Sequence, residues 1–473
     1  MEKQMVQIDT KVQSKKTSLL QPTRVYNEIV HYLDTHWSDT TNLVAISQLD
    51  ENFGFPSKKL DIAMVSGTTG KSTTIHYTGK LLQEEGVKVG AFYTPHIISY
   101  NERFTIGNEQ ISHKTFTTLA NKVIQTVEDK KIAASSKDIL TMMAFLYFND
   151  NDVDLAIFEN SGTYKLDPVL YCDVKISAVT RIVPNTTHDD IATAFTNIMI
   201  PLTPKTYFVA ADQNKQNLQI IHQMVESKGS NWSMPIRKLA PLAYPFEQLH
   251  GRCAALAERI SQIYSDNFLH KNKADIISSS LLTKPKGLRG RPTLEAKKVS
   301  DSYPKKSLEL FWNQTTTTLP FRFQLLDHKK PMILLDNADN VDALSNLFLG
   351  FRLLAYKQQF KNISLIIGCH IDQFENEEFI KEIRYFVKKT TGNIALCPIQ
   401  AVPGEKSKAS WDVQKIAQTI KHAKIKAKTY QSFTEAFKTI TTDNNDSKNL
   451  IIISGSQAIV SEYLNYTKEL AAE

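Results

Sequence analysis

LDIAMVSGTTGKSTTIHYTGKLLQEEG, residues 60–86, decides the fold. LDIAMV (60–65) is an apolar run of strand length, and IHYTGKLLQEEG (75–86) has the pattern of a helix ending at Gly86. Between them lies VSGTTGKSTT (65–74). Gly67 and Gly70 let the backbone turn tightly and aim N–H groups inward, with Thr68 between them, and Lys71 adds a point charge. Ser72 and Thr73 open a helix whose positive end favours an anion. A strand, a glycine loop and a helix form the context that a phosphate-binding loop requires. The commonest loop of this kind has glycine at the position of Val65, so the pattern here is the shorter GT-x-GK-[ST].

Outward from this stretch, apolar and helical runs alternate. DIAMV (61–65), VKVGAFY (87–93), VDLAIFE (153–159), VKISAVT (174–180) and KTYFVA (205–210) read as strands, and 114–128 and 139–150 as helices. Residues 211–310 are mixed helix and loop. A second alternation starts at Leu319: MILLD (332–336), a helix over 341–357, SLIIG (364–368), a helix over 375–389, IALCP (394–398) and LIIIS (450–454). Such alternation predicts an α/β fold. It comprises an N-terminal doubly wound domain with a mainly parallel sheet and a smaller, Rossmann-like C-terminal domain. The expected boundaries are a loose segment over 1–20, the first domain over 21–270, a basic linker or insert over 271–315 and the second domain over 316–473.

The chain has 473 residues, too many for one ordinary core, and its 42% hydrophobic and 22% charged content is that of a globular protein. No apolar stretch is long enough to span a bilayer. The opening MEKQMVQIDTKVQSKK lacks the apolar centre of a signal peptide, so a cytoplasmic chain with no membrane partner is expected. Cys172, Cys253, Cys369 and Cys397 lie far apart, which suits reduced, mostly buried thiols. Net charge is +7, and residues 271–306 hold ten Lys/Arg against three Asp/Glu, so that segment alone accounts for the excess. RGRP (289–292) within it looks like the core of a minor-groove-binding hook. A single copy reads better as part of a solvated linker, and nucleic acid is not the expected partner. PGEKSKASWD (403–412) is a polar loop with one aromatic, Trp411.

Several collinear motifs resemble the folylpolyglutamate synthase/dihydrofolate synthase family of the Mur ligase superfamily. They are YNEIVHYL (26–33), FGFPSKKLDIAMVSGTTGKSTT (53–74), YTPHIISYNERFTIGNEQIS (93–112), DILTMMAFLYF (138–148), VDLAIFENSGTYKLD (153–167) and VKISAVTRI (174–182). LPFRFQLL (319–326), LLDNADNVDAL (334–344) and IIISGSQAIVSEYL (451–464) continue the likeness in the second domain. The resemblance implies an ATP-dependent amide ligase. ATP phosphorylates a pterin or folate carboxylate, and the amine of L-glutamate attacks the acyl phosphate. ATP and Mg²⁺ are the implied cofactors, ATP, L-glutamate and the acid the small-molecule substrates, and a monomer the expected state.

Residue by residue, the resemblance has Gly67, Thr68, Gly70, Lys71, Ser72 and Thr73 hold the β- and γ-phosphates. Thr94 stands where the family has a Mg²⁺-binding serine, and a strand-end threonine in a turn is the other reading. Glu159 matches the metal-binding glutamate, Asp336 an ATP-contacting aspartate and Arg322 an arginine of the nucleotide site. Lys71 and Arg322 are the implied catalytic cations. Both carboxylates follow apolar strands, at the sheet edge where open α/β folds bind ligands. Glu159 could instead be a solvated strand end, and Arg322 or Asp336 a structural charge at a domain boundary.

Five departures stand beside these matches. Asn185 and Thr186 occupy the family's Asp-His position, with His188 two residues on as the available metal ligand. Phe195 replaces a lysine that becomes carbamylated in the family, and a phenyl ring binds no metal. NSGTYKLD (160–167) replaces a glycine-rich run, Ala254 an asparagine that holds adenine, and Asp339 a histidine. These changes leave two alternatives: a ligase for another acid and amino acid, or a nucleotide-binding protein with weak catalysis.

Overall fold

The structure is a computed structural model. It describes residues 23–38, 42–161, 164–184, 190–242, 246–269, 281–282, 307–315, 319–371, 377–390, 392–400, 409–443 and 446–472. The N-terminal segment 1–20, RGRP (289–292) with nearly all of the basic segment, and residues 185–189 with His188 lie outside the described residues.

The first half contains β1 (Ile62–Ser66), β2 (Val89–Phe92), β3 (Phe104–Ile106), β4 (Glu109–Gln110), β5 (Leu155–Glu159), β6 (Ile176–Val179), β7 (Tyr207–Ala210) and β8 (Asn231–Ser233). They form one sheet in the order β4-β3-β2-β5-β1-β6-β7-β8. Pairing is parallel from β2 to β8, and β3 and β4 add an antiparallel edge. Its helices are α1 (Tyr26–Thr35), α2 (Val44–Asn52), α3 (Lys71–Glu84), α4 (His113–Lys130), α5 (Ser136–Asp150), α6 (Ile191–Ile198), α7 (Lys215–Ser227), α8 (Phe246–Asn267) and, numbering the described helices, α9 (Leu308–Gln314).

Strand side chains alternate between two cores, which is why the central strands read as unbroken apolar runs. Ile62, Met64, Ala156 and Phe158 point to one face, packed by α1, α2, α4 and α5. Ala63, Val65, Leu155 and Ile157 point to the other, packed by α3 and α8. Gly90 sets how closely α5 lies on the sheet, because a Cβ there would meet the Phe148 ring at 2.6 Å.

The second half repeats the plan: β9 (Gln324–Leu326), β10 (Met332–Leu335), α10 (Val341–Lys357), β11 (Ile363–Ile367), α11 (Glu377–Thr390), β12 (Asn393–Leu396), α12 (Val413–His422), β13 (Lys428–Thr429), α13 (Phe433–Asp443), β14 (Leu450–Ser454) and α14 (Gln457–Ala472). The sheet order is β13-β12-β11-β14-β10-β9, parallel except for β9. Leu334, Leu365, Leu396 and Ile452 face α10 and α11, while Ile333, Ile366, Ala395 and Ile453 face α13 and α14. The fold is therefore doubly wound twice over. Trp411, read from sequence as the aromatic of a polar loop, is instead a core residue at 4% exposure whose indole N–H donates to the Cys397 carbonyl at 2.9 Å. All four cysteines are free thiols, and Cys172, Cys369 and Cys397 are buried.

Candidate functional site

A cavity of about 430 Å³ lies between the two halves. The C-terminal ends of β1, β5 and β6 meet there, where the chain leaves β1 for α3 with β5 and β6 on either side. This is the crevice at which an open α/β sheet takes a ligand.

The loop after β1 is shaped by two left-handed glycines. Gly67 has φ +118° and lies so close to Thr180 that a Cβ would meet its hydroxyl at 2.1 Å. Gly70 has φ +92° and caps α3, with the Cys253 thiol 2.7 Å from where its Cβ would stand. The intervening Thr68 is tied to the end of β6. Its N–H donates to the Arg181 carbonyl at 2.9 Å, and its hydroxyl pairs with the Val183 backbone at 2.9 Å. The helix begins at Lys71, so the free N–H groups of its first turn open toward the cavity.

Glu159 is the centre of the site. It ends β5 at 3% exposure. The Ser72 hydroxyl donates to its two oxygens at 3.1 and 2.9 Å, the Thr94 N–H reaches one at 3.4 Å, and Lys71 Nζ stands 4.0 Å away. Burial raises the carboxyl above its usual range, and Lys71 first, then Arg322, draw it back. Thr94 is itself held from behind. Arg103, 2% exposed, donates from Nη1 to the Thr94 hydroxyl at 3.0 Å and from Nε to His96 Nδ1 at 2.9 Å. The second bond leaves His96 Nδ1 the acceptor.

Arg322 enters from the second half, with Nη2 3.4 Å from the Ser72 hydroxyl. Its neighbours Phe321 and Phe323 have φ +63° and +51°, a conformation bulky residues rarely adopt, so the backbone that carries the guanidinium is strained. Asp336 lies beside it, one carboxylate oxygen accepting the Phe323 N–H at 2.8 Å and the other the Ala338 N–H at 2.9 Å. Burial raises Asp336 to about 6, and these N–H groups and Arg322 moderate the rise. His250 is lowered to about 4 by burial and by Arg322, so it is neutral at pH 7.

Three further contacts cross the cleft. Arg181 pairs with Asp342 at 2.9 Å, Asn340 Nδ2 lies 3.5 Å from the Thr69 hydroxyl, and Gln457 donates its side-chain N–H to the His96 carbonyl. Sequence reasoning singled out none of Arg103, Arg181, Asn340, Asp342 or Gln457. All five sit within the collinear motifs, but nothing in spacing reveals which polar residue a fold will bury or carry across a cleft.

Thr68, Gly70, Lys71, Ser72, Thr73, Thr94, Glu159, Arg322 and Asp336 line this one cavity from both halves, while Gly67 shapes the loop behind it. Phe195 is elsewhere. It packs on α6 at 3% exposure among Val179, Ile182, Ile198 and Phe208. Ala254 is likewise a core residue, fully buried on α8. Asp339 does line the cavity and accepts an Asn340 N–H at 3.0 Å. In the changed stretch after Glu159, Asn160 is fully buried and donates to the Ser66 hydroxyl at 3.1 Å, and Ser161 is tied to Asp167. Among the described residues no three His, Cys, Asp or Glu side chains cluster as a metal cage.

No protein-family model matches the chain. It is similar to the dihydrofolate synthase/folylpolyglutamate synthase of Bacillus subtilis, 28% identical over 224 residues, 45% of this chain and 48% of that protein. The match thus spans about half the length of that relative. Its fold is similar to the Mycobacterium tuberculosis folylpolyglutamate synthase complexed with ADP, with a TM-score of 0.71 at 16% identity, over 93% of this chain and 98% of that one. The chain is thus similar in part of its sequence to dihydrofolate synthase/folylpolyglutamate synthases, and in fold to a folylpolyglutamate synthase. A second solved structure, the bifunctional folylpolyglutamate synthase/dihydrofolate synthase of Yersinia pestis complexed with AMPPNP and Mn ion, aligns with a TM-score of 0.67 at 16% identity over 94% of this chain and 98% of that one. The chain therefore shares the fold of these solved structures over nearly its whole length. No helix among the described residues is long and apolar enough to cross a membrane.

Proposed function

We propose that the chain is an ATP-dependent amide ligase that joins L-glutamate to the carboxylate of a pterin or folate acid, working as a monomer in the cytoplasm. The observation that carries this reading is the buried Glu159, gripped by the phosphate loop through Ser72 and faced by Lys71 from its own half and Arg322 from the other.

In this reading the backbone N–H groups around Gly67 to Thr73 cradle the β- and γ-phosphates of ATP. Lys71 and Arg322 carry positive charge to where negative charge builds during phosphoryl transfer. The acid's carboxylate oxygen attacks the γ-phosphorus and ADP leaves. The glutamate nitrogen then attacks the acyl carbon, and phosphate leaves with the carbon–oxygen bond. Asp336 orients the turn that bears Arg322. Closure of the halves excludes water from the acyl phosphate, which hydrolysis would otherwise destroy.

The Ser72 and Thr94 hydroxyls and the Glu159 carboxylate are hard oxygen donors on one wall, a set that suits Mg²⁺, and His188 is the further ligand implied by the resemblance. Mg²⁺ held there would neutralise phosphate charge. Phe195, packed in the α6 core, supplies no ligand to a metal.

The test is ADP formation from Mg-ATP with L-glutamate and, in turn, dihydropteroate, dihydrofolate and tetrahydrofolate. Acceptor-dependent ADP release that falls about 10²–10³-fold in Lys71→Ala is the expected result. Folded protein that binds ATP and releases no ADP with any acceptor would overturn the reading.

A further inference from the structure

The second half carries another cavity, of about 330 Å³, between α10, α11 and the start of β11. Its size is at the lower end for small-molecule sites, roughly 300–1,000 Å³. The floor is aromatic. Phe348 and Phe386 stack with centroids 5.0 Å apart, and Phe351 lies 6.1 Å from both Phe360 and Phe386. At the rim Arg352 Nη1 donates to the Tyr385 hydroxyl at 2.7 Å, and among the described residues no carboxylate pairs with this guanidinium. Aromatic walls take a flat ring by stacking, and a guanidinium held by one neutral hydroxyl keeps donors for an anion.

We propose that this cavity is a second ligand site, for a planar aromatic acid, coupled to the interdomain cleft through α10. The ring would lie against the partly exposed rings of Phe360 and Tyr385, above the buried phenylalanine floor, and the acid group on Arg352. Coupling follows from α10 being a wall of both cavities. Phe348, Phe351 and Arg352 line the small one, while Asp342, Asn346 and Leu347 line the cleft. The helix is also gripped at its start and middle. Its cap Asn340 reaches the phosphate loop at Thr69, and Gly350 lets α8 approach so closely that a Cβ would meet Leu249 at 2.4 Å. A ligand wedged between α10 and α11 acts on a rigid piece whose other face borders the cleft, so it favours one disposition of that wall over another.

The binding half of this inference stands apart from the ligase reading, and the coupling half rests on the cleft binding a nucleotide. The experiment uses the full chain, 2-naphthoate as the aromatic acid and calorimetry as the readout. Mg-ADP affinity is measured with and without naphthoate. We expect one saturable naphthoate site, weakened about tenfold by Arg352→Gln and lost in Ala355→Trp, which fills the cavity. Naphthoate and Mg-ADP should bind together, each changing the other's affinity by the same factor of about 3–10. No saturable binding, undiminished binding to both variants, or simple competition with Mg-ADP would overturn the site. Binding of both ligands with no mutual effect would overturn the coupling. Arg352→Gln carries the test alone if Ala355→Trp does not fold, which its unfolding temperature reports. Wild-type protein that binds naphthoate and not Mg-ADP would sink the nucleotide reading of the cleft and leave the second site standing.

Discussion

Glu159 is a carboxylate buried to 3% exposure beside two cations from different halves of the chain. Replacing it with glutamine keeps the shape and removes the charge that Lys71 and Arg322 face. Glu159→Gln is therefore expected to fold and to weaken Mg²⁺-dependent nucleotide binding by about tenfold or more, read by titration with and without Mg²⁺. Asp336 gives a pH signature. Its ordinary value is 3.8 and its folded value about 6, so the folded chain takes up a proton there between those limits. The stability it contributes is full below pH 4 and is lost as pH rises through about 6. The group is only partly buried at the cavity wall, so the effect should be about 1 kcal/mol, and Asp336→Asn should flatten it in denaturant titrations at pH 4.5 and 7.5. Phe195→Lys puts an amine into the α6 core instead of toward the cleft. It should destabilise the fold by about 3–5 kcal/mol without raising turnover, checked by chemical unfolding alongside the ADP assay. At this scale the sequence was informative where chemistry demands an unusual residue, as at Gly67, Gly70 and Lys71. It was silent about Arg103, an ordinary arginine until the fold closes over it.

Among the elements, legibility followed burial. β1, β5, β6, β10, β11 and β14 are covered on both faces, and each reads as an apolar run. β4 and β13 are two-residue edges with both side chains exposed, and β8 and β9 are three-residue strands only partly covered, so none of them leaves a periodic signal. The sequence has Ser72 and Thr73 open α3, and the helix starts one residue before them at Lys71, with the loop glycine Gly70 as its cap. Gly90 has no special φ, so its role shows only in packing. Gly90→Val would drive two methyls toward the Phe148 ring at the sheet–α5 contact. It should cost about 1–3 kcal/mol, visible as a lower midpoint in urea unfolding at unchanged slope.

At the scale of the whole molecule, four polar side-chain contacts among the described residues join the halves at the loops around the cleft. Arg322 reaches Ser72, Asn340 reaches Thr69, Asp342 pairs with Arg181, and Gln457 reaches the strand-end loop at His96. The Arg181–Asp342 pair is half exposed on the arginine side and worth at most about 1 kcal/mol, so Asp342→Ala should leave unfolding unchanged within that limit. Its effect should fall on closure, as a several-fold rise in the KM for ATP with a smaller change in kcat. The hold of Arg322 and Asn340 on the phosphate loop has a kinetic corollary. Arg322 and Asn340 reach hydroxyls of the phosphate loop across the cleft, so an incoming nucleotide displaces these contacts. Association is then an exchange, and its observed rate should climb with nucleotide concentration to a plateau set by how fast the loop lets go of the opposite half. Stopped-flow mixing with a fluorescent ATP analogue would trace that plateau, and Asn340→Ala should raise it.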